Sequence, residues 1–291
     1  MLVSEYFKLN KTQEELDFVD VPCNGDLKAF IDPETFVARQ DKWSQHCCDL
    51  GRNFFESFLN DIACGETEKA VNKVSRLREP KETHMGYCLS GFQGSCIGVI
   101  KACFIVDWIC NHEKIVSGLI TELSDLALFI PGVGMDLISD ITVNVIKTAL
   151  IEYTQKQCNL YSIPMKSTNQ HIWNTEKECW ENRAFELPFA SGGYIIFVPK
   201  HVVTKKPLLD SEGFYNSTIL TYLQSEEKRN NTSLVHFLKN GNKIVYKKDL
   251  RKQDKGKSIK ERILDRCIKN PDLKEKYKAT KRLEIRNKFD F

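Results

Sequence analysis

The sequence predicts a mixed α/β protein, helix-rich and of the α+β kind, and three observations carry that prediction. Trp43, Cys47, Leu50, Phe54, Phe58 and Ile62 recur three or four residues apart, the period of one helix face. Residues 158 to 200 switch to a strand-rich pattern around Gly193–Pro199. The chain has 291 residues, 42% hydrophobic and 28% charged, an ordinary globular balance with room for one or two domains. The expected division is a main α/β domain over 1–240 and a basic helical C-terminal region over 241–291. A restriction-endonuclease-like core carrying a basic helical tail is one architecture of this class.

The elements follow in order. Residues 1–40 read as irregular, with short edge segments at Asp17–Pro22 and Ala29–Pro33 broken by prolines. Asp32 before Pro33 opens a helix. A helix is expected within 41–76 on the stripe above, with a second over Glu66–Arg78 stopped by Pro80. A buried helix is expected over 97–118 with Trp108 and Cys110 inside. Leu126–Ile130 reads as a strand, then Pro131-Gly-Val-Gly134 turns into one long helix over about Leu137–Gln157. Its apolar face is Ile138, Ile141, Val145, Ala149 and Tyr153, and Asp140, Asn144 and Lys147 share another face. Phe185–Pro188 is short and extended, and Gly193–Pro199 is a buried strand. Helices are expected over Phe214–Gln224 and Ser233–Lys239, a short strand over Lys243–Tyr246, and a charged helical segment over Lys257–Leu283 interrupted near Pro271.

Composition excludes several function classes. Eleven cysteines, without a Cys-x-x-Cys pair, argue against zinc knuckles and for reduced, mostly structural thiols. The apolar run Ile97–Cys110 carries Lys101 and Asp107 and is too short to span a bilayer. No basic-then-apolar leader opens the chain. A cytoplasmic protein without membrane association is expected. Net charge is +3 but unevenly spread. Residues 241–291 hold 18 Lys/Arg against 8 Asp/Glu, while the rest hold 24 against 31. A basic tail on an acidic body fits an anionic partner, of which nucleic acid is the commonest, or a solvated helical face.

The chemistry-bearing feature is the acid group around the Pro-Gly-Val-Gly turn. Glu122, Asp125, Asp136 and Asp140 flank apolar segments, where unused carboxylates are costly. Converging Asp125, Asp136 and Asp140 would bind Mg²⁺ or Mn²⁺ through oxygen ligands, and such a metal clamps phosphate and activates water. Glu122 or Glu82 would assist, and Lys147 would steady developing phosphate charge. The competing account is local: Asp136 caps the helix and Asp140 complements its dipole. Gly91, Gly94 and Gly98, with Gly86, precede an apolar helix and offer a weak phosphate cradle or a plain surface loop. Neither a Walker nor a dinucleotide fingerprint is present. His84 beside that loop could face a phosphate. Trp173, Trp180 and Arg183 read better as packing than as base-stacking groups. Nucleophilic catalysis lacks a Gly-x-Ser-x-Gly elbow.

Gly132-Val-Gly-Met-Asp136-Leu-Ile-Ser-Asp140, with Asn144, Tyr153–Cys158, Phe30–Pro33 and Ile196–Lys200, resembles a family of uncharacterised prokaryotic proteins carrying a GxGxDxISD-type motif. The family looks like one found near mobile elements and defence genes, so the resemblance implies a role against phage or foreign DNA. It carries over no catalytic residue, and Met135 departs from the Pro or polar residue usual before the first Asp. The leading expectation is a metal-dependent nuclease or phosphodiesterase of prokaryotic defence. The alternative is a non-enzymatic nucleic-acid-binding or protein-docking subunit of a defence complex. A third reading is a nucleotide hydrolase using the glycine loop.

Overall fold

A computed structural model describes residues 1–39, 41–86, 97–112 and 118–288. The protein is mixed α+β, dominated by helices, with three small antiparallel sheets among the described residues.

The N-terminal part carries α1 (Val3–Tyr6), β1 (Phe30–Ile31) and α2 (Pro33–Ala38). Asp32 caps α2, its carboxylate accepting from the Glu34 N–H at 3.0 Å, with Pro33 fitting the first helical position. α3 (Lys42–Ala63) then buries Cys47, Leu50, Phe54, Phe58 and Ile62 on the expected stripe, and Asp41 caps it through the Ser44 N–H. α4 (Thr67–Ser75) follows. α5 (Val99–Asn111) buries Ala102, Ile105, Val106 and Ile109, whereas Trp108 and Cys110 are only partly buried.

Two expectations fail next. Leu126–Ile130 is not a strand: Asp125–Phe129 is helix α6. A short apolar run reads the same way for a buried helix as for a strand, and this one is buried on all sides. The long helix is two, α7 (Met135–Val145) and α8 (Lys147–Tyr161), broken at Ile146 (φ −90°, ψ 10°).

The largest sheet is the hairpin β2 (Met165–Asn174) with β3 (Cys179–Ala190), extended by β4 (Gly193–Tyr194). Its register pairs Trp173 with Trp180 and Met165 with Pro188. Only Gly193 and Tyr194 of the expected 193–199 strand are paired in a ladder. The remainder is buried, and its N–H groups go to scattered acceptors: Ile195 to Pro188 O, Ile196 to Glu82 O, Phe197 to Thr154 Oγ1. β1 pairs with β5 (Val203–Thr204). With Asp125 opening a helix and a hairpin as the main sheet, the strand arrangement expected of a restriction-endonuclease-like core is not seen among the described residues.

The C-terminal part holds α9 (Ser211–Phe214), a π-turn over Tyr215–Ile219, α10 (Leu220–Asn230), the hairpin β6 (His236–Phe237) with β7 (Lys243–Ile244), α11 (Lys247–Gln253), α12 (Ile259–Lys269) and α13 (Asp272–Lys288). A hairpin replaces the helix expected over Ser233–Lys239. Asn270 and Pro271 separate α12 from α13, as expected. One apolar cluster runs from Phe30 through Ile138 and Leu223 to Tyr277, so the C-terminal helices share the core of the N-terminal part. No helix among the described residues is long and apolar enough to cross a membrane.

Candidate functional site

The four acids do not share one pocket. Asp125 is fully buried and its carboxylate is filled by protein groups. Oδ2 accepts from the Thr121 and Glu122 N–H groups at 2.9 and 3.0 Å and from Lys274 Nζ at 3.1 Å, and Oδ1 accepts from Lys278 Nζ at 2.8 Å. Burial pushes this carboxyl up, but Lys278 and Lys274 outweigh it and hold the group below the usual carboxylate range. Two ammonium groups thus lie within hydrogen-bond distance of the carboxylate expected to hold a metal.

Glu122, expected to assist a metal, belongs to the same ion cluster. It accepts from Lys278 Nζ and from Arg282, each at 2.7 Å. Glu34, buried at the start of α2, accepts from Ser124 Oγ at 2.6 Å and Arg282 Nε at 2.7 Å, with Lys278 Nζ at 3.3 Å. Lys274, Lys278 and Arg282 lie four residues apart along α13, so one helix face presents all three cations. Arg286, the next at that spacing, donates to Ala38 O at 3.2 Å. Lys260 on α12 donates to Ile130 O and Val133 O at 2.7 and 2.6 Å, closing the C-terminal end of α6. A cleft of about 410 Å³ opens beside this cluster, lined in part by Glu34, Gln45, Arg52, Phe55 and Glu122.

Asp136 and Asp140 stand apart from it on α7. Asp136 is exposed in the first turn, where no side-chain cap bond forms. Asp140 is partly buried, and burial, then Asp136 and Glu79, pushes its carboxyl up to about 7, with Lys101 opposing. Asn144, four residues on, is buried and clamps the chain at Arg78: its Nδ2 donates to Arg78 O at 2.6 Å and its Oδ1 accepts the Arg78 N–H at 3.2 Å. Lys147 is buried with Nζ 3.7 Å from Glu82 Oε2. The polar face of α7 and α8 thus lies against residues 78–82, and Glu82 meets Lys147 rather than Asp125. Among the described residues no group of three or more His, Cys, Asp or Glu could hold a metal.

Gly91 and Gly94 lie outside the described residues. Gly98 is the residue before α5, with an ordinary φ of −69°. His84 sits with Nδ1 3.2 Å from Gly25 O. Trp173 and Trp180 pack as expected, their indole N–H groups donating to Asn53 Oδ1 and Lys73 O, each at 2.8 Å.

Two groups of basic residues in the C-terminal part face different ways. Lys274, Lys278 and Arg282 of α13 turn inward, as above. Most Lys/Arg of residues 228–257 are exposed, Lys228 and Lys247 being half-buried. This lobe holds ten Lys/Arg against two Asp/Glu. Val245 and Leu250 are fully buried and anchor it to the core, while Gln224 Nε2 donates to Val245 O. Its hairpin turns at Asn240-Gly241, with the Gly241 N–H donating to Leu238 O at 2.9 Å and φ at +82°, a value that suits glycine. Phe237 pairs with Lys243 and His236 with Ile244, so an aromatic–lysine pair occupies one face of the hairpin. On the other, His236 and Tyr246 rings lie 5.1 Å apart, and Lys248 Nζ stands 5.2 Å from the Tyr246 ring. Phe237 is 64% exposed and Tyr246 40%. Sequence reasoning missed this surface by reading Ser233–Lys239 as helix, although Asn-Gly between two apolar dipeptides is a hairpin signal.

The family model for a domain of unknown function, DUF8370, matches residues 8–210, and the chain belongs to that family. Neither a curated protein nor a solved structure matches the chain. Residues 211–291, with the outward lobe and the inward cations, lie beyond the matched span.

Proposed function

We propose that the protein binds nucleic acid through the lobe formed by the β6–β7 hairpin and α11. The supporting observation is a lobe with ten Lys/Arg against two Asp/Glu, most of those cations exposed, in which two exposed aromatic rings each have a lysine beside them. Lysine and arginine displace condensed counterions from phosphates, which makes such binding steeply salt-dependent. Inward-facing Lys274, Lys278 and Arg282 take no part, because acids already neutralise them. The test is anisotropy of a labelled oligonucleotide titrated with the full chain across salt concentrations. Wild type should lose affinity linearly in log salt, and the triple variant Lys243→Glu, Lys248→Glu, Lys255→Glu should lower that slope by roughly two to three. Absence of salt-dependent binding, or a wild-type slope in the variant, refutes the reading.

A metal-dependent nuclease or phosphodiesterase using Mg²⁺ or Mn²⁺ is the second reading, and Asp140 favours it: a half-buried acid raised toward neutrality beside Asp136 suits proton transfer. Metal-dependent cleavage by wild type and its loss in Asp140→Asn, with the variant still folded, is the result this reading requires. A role in defence against phage or foreign DNA rests on the sequence resemblance, and plating efficiency with and without the protein tests it.

A further inference from the structure

Resting on the lobe's reading as a nucleic-acid interface, we infer that its ligand is single-stranded, with unpaired bases stacking on Phe237 and Tyr246. The two rings differ from the packed aromatics of the fold. Phe214 and Tyr277, or Trp173 and Trp180, are buried against each other. Phe237 projects from a hairpin beside Lys243, and Tyr246 has Lys248 over its ring and the tilted His236 ring 5.1 Å away, a cluster that an incoming base would extend. Each ring therefore has a cation next to it, the combination of stacking platform and positive charge that single-strand binders use. In a duplex both faces of each internal base are covered by its neighbours, so an exposed ring has no base face to meet. In a single strand the faces are free, the backbone turns easily, and stacking is tolerant of sequence. Phe237 lies on one face of a ladder two residue pairs long, and Tyr246, just past the ladder, packs against His236 of the other face, so a flexible strand can follow the surface around its edge.

A duplex reader would use the same hairpin differently, inserting its tip, Lys239, Asn240 and Asn242, to contact base edges in the major groove. The two cases separate in one experiment. The full chain is titrated into a labelled oligodeoxythymidylate, the matching oligouridylate, and a duplex of equal length. The single strands should bind more tightly than the duplex. Phe237→Ala should weaken single-strand binding by roughly tenfold or more, with the salt slope unchanged. Tyr246→Leu should do the same and Tyr246→Phe should restore it, a contrast a general folding defect would not produce. Equal or tighter duplex binding, with Phe237→Ala silent, overturns this inference and leaves the nucleic-acid reading standing. Failure of all three ligands to bind with salt dependence overturns both.

Discussion

Lys278 Nζ lies 2.8 Å from Asp125 Oδ1, and both side chains are cut off from solvent. The contact joins the C-terminal helix to the segment that precedes α7, 153 residues earlier in sequence. Burying either charge alone is costly, and their proximity, with Lys274, Glu122, Glu34 and Arg282 completing the cluster, offsets that cost. The acids that looked like metal ligands are thus divided between docking α13 and lining α7.

Removing one partner should expose the penalty. Lys278→Met keeps the aliphatic stem and deletes the charge, and should lower unfolding free energy by about 3–5 kcal/mol in urea titration. An effect under about 1 kcal/mol would mean the cluster is solvated and weak, like a surface pair.

Acid should act on the same contact. Asp125 and Glu34 are held below their ordinary values: burial pushes both up, and Lys278 with Lys274 or Arg282 more than reverses it. A carboxyl whose folded value is depressed contributes stability that is present above the unfolded value and drains as pH falls through the folded one. Wild type should therefore lose stability steeply below about pH 4, and Asp125→Asn should flatten that loss. A parallel acid limb in the variant would contradict the assignment.

Asp140 should behave in the opposite sense. Burial, Asp136 and Glu79 raise it to about 7, so the folded state holds a proton the unfolded chain has released. Stability should fall as pH rises from about 4 to 7 through this group, because the native state binds more protons there. Asp140→Asn should remove that slope and leave the protein more stable near about pH 8. Unchanged pH dependence would place Asp140 in a wetter setting than the structure gives it.

Asn144 holds the backbone at Arg78 by two hydrogen bonds from a fully buried amide. Asn144→Leu should cost about 2–3 kcal/mol by stranding those backbone groups, and should speed amide exchange over residues 76–84. Exchange rising uniformly, or nowhere, would show that the clamp does not hold this segment.

Local signals in the sequence were legible where local forces decide. The stripe from Cys47 to Ile62, the Asp32–Pro33 helix start and the break at Pro271 all appear as expected. Leu126–Ile130 failed because five buried apolar residues carry no period that separates helix from strand. The 195–198 run failed for a related reason: it is apolar and buried, yet its N–H groups bond outside any ladder. The basic surplus of the tail was visible as a total, but its division was not. The four-residue spacing of Lys274, Lys278, Arg282 and Arg286 is in the sequence, whereas the acids it answers lie some 150 to 250 positions away. Charge counting alone could not tell an inward stripe from an outward lobe.

The most direct test of the nucleic-acid assignment is amide hydrogen exchange of the full chain with and without an oligodeoxythymidylate at saturating concentration. Slowed exchange is expected across residues 236–253, covering the hairpin and α11, with α13 unchanged. Protection confined to the α7 acid face or the outer face of β2–β3, or no protection at all, would contradict it.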